Sequence, residues 1–225
     1  MFENELGVAV IGLGVGEQHA SAFADANCCI VRWVYGLDVS RTHKVTEKLS
    51  TATVADDYKA ILADESVDII SIASYDDAHF AQVVAALEAG KHVFVEKPLC
   101  RSHEELRTIK QTWLANGSRY LTSNLVLRAA PVYRWLKNAI KAGELGEIYA
   151  SDGDYLYGRI HKITEGWRND VDDYSVMQGG GAHLVDLMLW LTKEMKSSIS
   201  PILMTWWMGF VSLSGSRTHV IRSLT

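Results

Sequence analysis

Three glycines follow the first apolar run, in the stretch AVIGLGVGEQHASAF at residues 9–23. Gly12 would allow a tight turn, and Gly14 would let phosphate oxygens approach the backbone. A helix beginning at these glycines would point its first N–H groups at a pyrophosphate, and Gly16 would be the third glycine of the turn. A turn that only packs a strand against a helix has similar residues. The position of this turn, between a first strand and a helix, favours a dinucleotide site.

Asp38 ends the second apolar run, CCIVRWVYGLD. A carboxylate at this point of a dinucleotide-binding unit accepts hydrogen bonds from ribose hydroxyls and repels a 2′-phosphate, which favours NAD. Ser40 and Arg41 follow closely, and a guanidinium binds phosphate well. The sequence therefore favours NAD and leaves NADP open.

Strand and helix patterns alternate through residues 1–122, which we take as the first domain. The patterns predict helices over residues 17–26 and 56–66, the second capped by Asp56. Such alternation is typical of an α/β fold with a doubly wound parallel sheet, whose strands all end at one edge where ligands bind.

The rhythm changes after this region, and residues 123–225 are predicted to form part of a second, α+β domain. APVYRWLKNAIKAGELG predicts a helix stopped by glycine. EIYASDGDYLYGRI, at residues 147–160, alternates as a long strand would. GGGAHLVDLMLWLTKE predicts a glycine-rich turn that leads into an apolar helix.

The composition indicates a globular protein without a basic stripe for nucleic acid: 225 residues, 48% hydrophobic, 22% charged, net charge -5. Three cysteines are too few for a disulfide framework, and scattered histidines without ligand spacing predict no metal site. An acidic N-terminus is unlike a signal peptide, and no apolar run has the length of a membrane span. We expect a cytoplasmic protein with reduced thiols.

Several stretches together resemble the glucose–fructose oxidoreductase, inositol dehydrogenase and rhizopine-catabolism (Gfo/Idh/MocA) family. They are ADDYKAILADESVDIISIAS, HFAQVVAALEAGKHVFVEKPL, GELGEIYASDGDYLYGR and GGGAHLVDLMLWL. The tripeptide Glu96-Lys97-Pro98 is the most specific of these marks. The resemblance extends over residues 6–194 and implies a Rossmann domain followed by a substrate domain.

The family's enzymes move a hydride between nicotinamide and a hydroxyl-bearing carbon of a sugar, cyclitol or sugar derivative. The resemblance makes Lys97 the group that hydrogen-bonds the reacting oxygen, and His183 the general acid/base. It places Ser74, Glu96 and Lys97 on the cofactor side, and His79 at a structural position or at the edge of the cofactor site. Pro98 would direct the lysine through a cis peptide bond.

A further set of charged and aromatic residues would line a pocket for an anionic sugar or sugar nucleotide, although a solvated charged face has the same composition. These candidates are Arg128, Tyr157, Arg159, His161, Trp167, Arg168 and Asp186. Asp186 lies one helical turn after His183 and would orient the imidazole, cap the helix or face solvent.

The sequence departs from the family at two positions. Family members commonly carry an aspartate four residues before the histidine, where this chain has Gly179. The glycine at 16 also comes one residue earlier than the family's third glycine. The candidates for the missing polar group are Asp172, Asp173, Tyr155 and Tyr157.

Residues 196–225 contain no Asp or Glu and do not resemble the family, whose members are longer. We expect a truncated or frameshifted reading frame; the alternative is a short variant whose tail packs as a strand. Family members are usually homo-oligomers, and the sheet that makes those contacts would be incomplete here. Two other functions stay open: an NAD(P)-binding sensor without turnover, and an NAD-dependent glycoside hydrolase.

Overall fold

The computed structural model describes residues 5–117, 119–159, 161–169, 171 and 174–192. Six parallel strands alternate with helices. The strands are β1 Leu6–Ile11, β2 Cys29–Tyr35, β3 Thr53–Val54, β4 Ile69–Ile72, β5 His92–Val95 and β6 Leu121–Ser123. The helices are α1 Gly16–Ala24, α2 Val39–Lys48, α3 Tyr58–Ala63, α4 His79–Glu88, α5 His103–Ala115, α6 Pro131–Ala142, α7 His161–Thr164 and α8 Ala182–Thr192.

The strand order is β3-β2-β1-β4-β5-β6, which confirms the predicted doubly wound sheet. The chain runs outward in one direction from β1 and in the other from β4, so the carboxyl ends of these two strands flank a crevice. Apolar side chains are buried on both faces of the sheet. One core contains Ile61, Val83 and Leu87 from α3 and α4, and the other contains Ala20 and Val45 from α1 and α2.

Two boundaries in the first domain differ from the prediction. Helix α3 is capped by Asp57, whose carboxylate accepts a hydrogen bond from the Lys59 N–H at 3.0 Å, so the prediction of Asp56 as the cap is wrong. Asp57 has the extended backbone that lets a cap side chain fold back onto the first turn. Helix α1 ends at Ala24, two residues before the predicted end.

The second region contains the predicted helix α6, which begins at Pro131 and is stopped by Gly143 in a left-handed conformation. The long strand predicted over residues 147–160 is wrong, since residues 147–159 have no regular structure. A strand needs a neighbour for its backbone hydrogen bonds, and the described residues offer none there. Tyr149 and Leu156 are accordingly exposed. The tail from 196 to 225 lies outside the described residues.

Candidate active site

The three glycines of the first turn have three different surroundings. Gly12 has a φ of +84°, and a Cβ there would lie 2.5 Å from the Ala73 carbonyl atoms at the end of β4. A Cβ on Gly14 would meet no heavy atom within 4 Å, so this position opens to solvent. A Cβ on Gly16 would lie 3.1 Å from Val10 Cγ1, because helix α1 begins against the sheet. A tight turn at Gly12, an open approach at Gly14 and close packing at Gly16 are what a pyrophosphate-binding turn requires. We call these three glycines the glycine cradle.

Helix α1 begins without a side-chain cap, since Val15 at its N-cap makes no side-chain hydrogen bond. Its first N–H groups therefore remain available to an anion, whose charge the helix dipole favours. Glu17 is the only acidic residue of the first turn, and its carboxylate is bound by Lys48 Nζ at 2.7 Å. That hydrogen bond lowers the pKa of Glu17. The start of α1 thus fits a phosphate group.

Asp38 caps helix α2, accepting the Arg41 N–H at 3.0 Å with Oδ1. Its carboxylate lies beside a cavity of about 390 Å³. The cavity is lined by Glu17, Asp38, Ser40, Arg41, Lys44, Glu47 and Lys48. The structure therefore brings together the carboxylate and the guanidinium that sequence analysis selected for opposite cofactor preferences.

Ser74 and His79 lie at the carboxyl end of β4. The Ser74 hydroxyl donates to Gln82 Oε1 at 2.6 Å, while its carbonyl oxygen lies 3.2 Å from His79 Nε2. The other ring nitrogen of His79 lies 2.7 Å from the Pro98 carbonyl oxygen. His79 is fully buried, and its two ring nitrogens connect the loop after β4 to the loop after β5.

Glu96 and Lys97 follow β5, and the Glu96 carboxylate is held by several hydrogen-bond partners. Asn124 donates to the Glu96 carboxylate at 2.6 Å, His19 Nε2 lies 3.1 Å from it, and the Lys97 N–H donates at 3.3 Å. Burial alone would raise the pKa of Glu96, but these hydrogen bonds outweigh it and the pKa is lowered. The Glu96 carboxylate, which was expected on the cofactor side, accepts its hydrogen bonds from protein groups. The Lys97-Pro98 peptide bond is cis, as the resemblance implied.

Sequence reasoning missed His19, which lies on the buried side of α1. Its second nitrogen, Nδ1, lies 3.0 Å from Ser71 Oγ on β4. The sequence feature that could have identified His19 is its spacing, three residues after Gly16, on the helix face that packs toward the sheet. Together with Glu96 and Asn124, His19 fixes the strand end that presents Lys97.

A cavity of about 190 Å³ joins the two regions of the chain. Its lining brings Lys97, at the end of β5, together with His183, in the first turn of α8. The remaining lining residues are Tyr155, Tyr157, Arg159, Lys162, Arg168, Tyr174, Val176, Gly179 and Gly180. Three of the predicted pocket residues, Tyr157, Arg159 and Arg168, therefore line the same cavity as Lys97 and His183. Tyr155, predicted only as a candidate for the missing polar group, lines it too.

His183 is half-buried, and its Nδ1 is buried without a hydrogen-bond partner among the described residues. Burial lowers the pKa of His183, and the positive charge of Lys97 lowers it further, against the opposing effect of Glu96 and Asp186. The imidazole is therefore neutral at neutral pH, and a neutral imidazole can accept a proton from a substrate.

Tyr174, which sequence reasoning missed, occupies the space where a side chain at Gly179 would begin. A Cβ at 179 would overlap the Tyr174 hydroxyl oxygen and lie 3.0 Å from its ring carbon Cζ. Arg168 Nε donates to that hydroxyl at 3.0 Å. Tyr155, one of the predicted candidates, lies over Gly180 instead, and Tyr157 stacks on Tyr155. Asp172 and Asp173 lie outside the described residues.

Arg128 and Asp186 bind each other and do not line the cavity. Arg128 Nε donates to Asp186 Oδ2 at 2.8 Å, and a second nitrogen binds the other oxygen. The pair raises the pKa of Arg128. Asp186 therefore does not orient His183 through a hydrogen bond, which was one of its three predicted roles. Trp167 does not line the cavity either, and its ring is stacked on Tyr75 with ring centroids 4.7 Å apart.

Asp76 is a third residue that sequence reasoning missed. It follows β4, is buried, and its Oδ2 has no partner among the described residues. Burial raises its pKa, while the charges of Lys97, His79, Arg168 and Arg101 oppose that rise. The charges of Lys97 and Arg168, which both line the cavity, therefore act on the Asp76 carboxylate.

Residues 6–123 match the family model described as "Oxidoreductase family, NAD-binding Rossmann fold", and residues 133–205 match "GFO/IDH/MocA C-terminal domain". The chain belongs to the GFO/IDH/MocA family. This confirms the resemblance drawn from the sequence. The second match runs to residue 205, so the expectation that none of residues 196–225 resembles the family is wrong for residues 196–205. The glycine cradle and Asp38 fit the dinucleotide that the first description names.

Known members of the GFO/IDH/MocA family are similar over much of the chain. It is 31% identical over 156 residues to inositol 2-dehydrogenase/D-chiro-inositol 3-dehydrogenase of Halalkalibacterium halodurans, covering 69% of this chain and 43% of that protein. It is 31% identical to D-glucoside 3-dehydrogenase of Escherichia coli, covering 83% and 52%. The crystal structure of myo-inositol 2-dehydrogenase from Lactobacillus plantarum has the same fold, with a TM-score of 0.74 and 23% identity over 84% of this chain and 56% of that one.

The chain thus spans about half the length of the family members it matches. In the part of the chain that the structure describes, no helix is long and apolar enough to cross a membrane. The same residues contain no group of three or more His, Cys, Asp or Glu side chains that could hold a metal ion.

Proposed function

We propose that this protein transfers a hydride between NAD and a hydroxyl-bearing carbon of a sugar, cyclitol or sugar nucleotide. The cavity that joins Lys97 to His183 carries the proposal, because Lys97 follows the carboxyl end of β5 and the glycine cradle follows the carboxyl end of β1, at the same edge of the parallel sheet. NAD, when bound, supplies the carbon that accepts the hydride. In this proposal residues 1–122 bind the cofactor, and residues 123–225 begin the substrate domain.

Lys97 and His183 would divide the work on the substrate hydroxyl. The Lys97 ammonium donates a hydrogen bond to the reacting oxygen and stabilises the negative charge that develops on it. His183, neutral because its pKa is lowered, accepts the hydroxyl proton as the C–H bond breaks. The substrate loses one hydride and one proton, and a carbonyl forms.

The charge of the cavity favours a substrate with a carboxylate or phosphate group. Arg159, Lys162 and Arg168 line it together with Lys97, and no described lining residue is acidic. Tyr155 and Tyr157 add stacked rings, 6.0 Å between centroids, suited to the apolar face of a sugar. A matched pair such as glucose and glucuronate tests this: we expect the acid to have the lower KM, and its KM to rise with salt.

The first experiment is a titration of the protein with NADH and with NADPH, followed by quenching of tryptophan fluorescence. Saturation with tighter NADH binding is expected from Asp38, and a panel of polyols is then screened for NADH production. Lys97→Met should keep NADH binding and lose about 10²–10⁴-fold in rate. The matched control is Lys110→Met, on the exposed face of α5.

Three outcomes separate the candidate functions. Net NADH formation with a polyol supports the dehydrogenase. Tight NADH binding without turnover on any substrate favours the sensor, and cleavage of a glycoside without net NADH favours the hydrolase.

We also propose a cytoplasmic location, supported by free thiols at Cys28, Cys29 and Cys100.

A further inference from the structure

Glu17 occupies the position where the family has the third glycine of its dinucleotide-binding turn. In this chain Gly16 makes the close contact with the sheet instead, because a Cβ there would lie 3.1 Å from Val10 Cγ1 and 3.2 Å from Ala73 Cβ. Position 17 is thereby released from close packing and can carry a side chain. A carboxylate in the first turn of α1 is unexpected, since the phosphates of the cofactor bind at this helix end.

A second helix holds this carboxylate in place. Lys48 Nζ, in the last turn of α2, lies 2.7 Å from Glu17 Oε1. Both side chains line the cavity of about 390 Å³ in which Asp38 and Arg41 also lie. Asp38 is the candidate for the ribose hydroxyls, so a 2′-phosphate on that ribose would enter the same cavity. The ion pair therefore borders the place where NADP differs from NAD.

The lining of this cavity carries as many negative as positive side chains. Its cations are Arg41, Lys44 and Lys48, and its acids are Glu17, Asp38 and Glu47. The hydrogen bond from Lys48 lowers the pKa of Glu17, and the charge of Arg41 lowers it further, so Glu17 interacts with two of the three cations. A site that selects NADP needs cations that are free to bind the 2′-phosphate. Glu17 occupies one of these cations and offsets the charge of another.

We propose that Glu17 is a second specificity-determining residue for NAD, acting together with Asp38. Asp38 accepts the ribose hydroxyls and repels a 2′-phosphate directly. Glu17 withholds Lys48 from that phosphate and adds a second negative charge to its surroundings. This inference rests on the cofactor site of the proposed function and does not depend on hydride transfer.

The test is a titration of each variant with NADH and with NADPH. Its readout is the ratio of the two Kd values, because neutralising an acid near the site also favours the pyrophosphate that both cofactors share. Glu17→Gln keeps the size of the side chain and should lower the Kd for NADPH about fivefold relative to the Kd for NADH. The control is Glu47→Gln, which removes an exposed acid from the lining of the same cavity and should leave the ratio unchanged.

A double variant tests the part assigned to Lys48. Glu17→Gln with Lys48→Met should lose most of the gain in NADPH binding, because no released ammonium remains for the 2′-phosphate. The gain of the single variant should also shrink at an ionic strength of about 1 M, where charges are screened within about 3 Å. Melting curves of all variants exclude unfolding as the cause.

The outcomes separate this inference from the rest of the proposed function. An unchanged ratio in Glu17→Gln, or an equal change in Glu47→Gln, would overturn the inference. A gain that survives in the double variant would overturn the part assigned to Lys48. A shifted ratio in a protein without turnover would overturn only the hydride transfer, and a protein that binds neither cofactor would overturn both proposals.

Discussion

At the scale of single residues, replacing Gly12 by alanine should lower stability, whereas replacing Gly14 by alanine should weaken NADH binding. Gly12→Ala places a Cβ 2.5 Å from the Ala73 carbonyl group at a φ of +84°, so we expect unfolding to become easier by about 1–3 kcal/mol. Gly14→Ala meets no atom within 4 Å and should leave stability unchanged. It should still weaken NADH binding about tenfold, or about 1.4 kcal/mol, because a methyl group would stand where phosphate approaches.

Urea unfolding and NADH titration of both variants check this, and each serves as the other's control. If Gly14→Ala binds NADH normally, the phosphate approaches elsewhere and the cradle at the start of α1 is misassigned. If Gly12→Ala is stable, the turn can shift away from β4, contrary to the contact seen here.

At the scale of elements, the Glu96 carboxylate joins α1, β5 and the segment after β6 through His19 and Asn124. Glu96→Gln puts an amide donor against these donors and should cost about 1–3 kcal/mol of stability at neutral pH. The pKa of Glu96 is lowered, so its carboxylate contributes stability above the ordinary value of 4.5 and loses it as the pH falls through the folded-state pKa. The difference in the free energy of unfolding between the native protein and Glu96→Gln should therefore become smaller at acidic pH.

Urea midpoints measured between about pH 7 and about pH 3.5 test this linkage. Glu88→Gln, an exposed acid at the end of α4, is the control and should follow the native protein throughout. A deficit that stays constant with pH would mean that the damage comes from packing and not from the ionised carboxylate.

Elements also show what the sequence could predict and what it could not. The strands of the sheet are strongly apolar and alternate with helices, so the doubly wound parallel sheet and the glycine turn before α1 could be predicted from local patterns. Residues 147–159 alternate as a strand does, but a strand depends on a neighbour that local periodicity does not supply. Tyr174 was missed because its place in the cavity depends on Gly179, five residues away, whose missing side chain leaves room for the tyrosine hydroxyl.

At the scale of the whole molecule, the site is composite: the cradle and Lys97 belong to the sheet, while His183 is carried by α8. The ion pair between Arg128 and Asp186 joins α8 to the segment that follows β6. Because Arg128 is partly exposed, we expect the pair to contribute only about 1 kcal/mol to stability. Its larger effect should be on alignment, since hydride transfer depends on small displacements of the reacting groups.

Asp186→Ala should therefore lower kcat about tenfold or more while the Kd for NADH stays unchanged, because the glycine cradle lies wholly in the first domain. NADH titration and turnover measured on the same preparation separate the two effects. Arg128→Ala should reproduce the loss, and the double variant should be no worse than either single one if the pair acts as a unit. Glu144→Ala, an exposed acid after α6, is the control. A parallel loss of NADH binding would show that α8 supports the cofactor site itself. The assignment of NADH binding to the first domain alone would then be wrong.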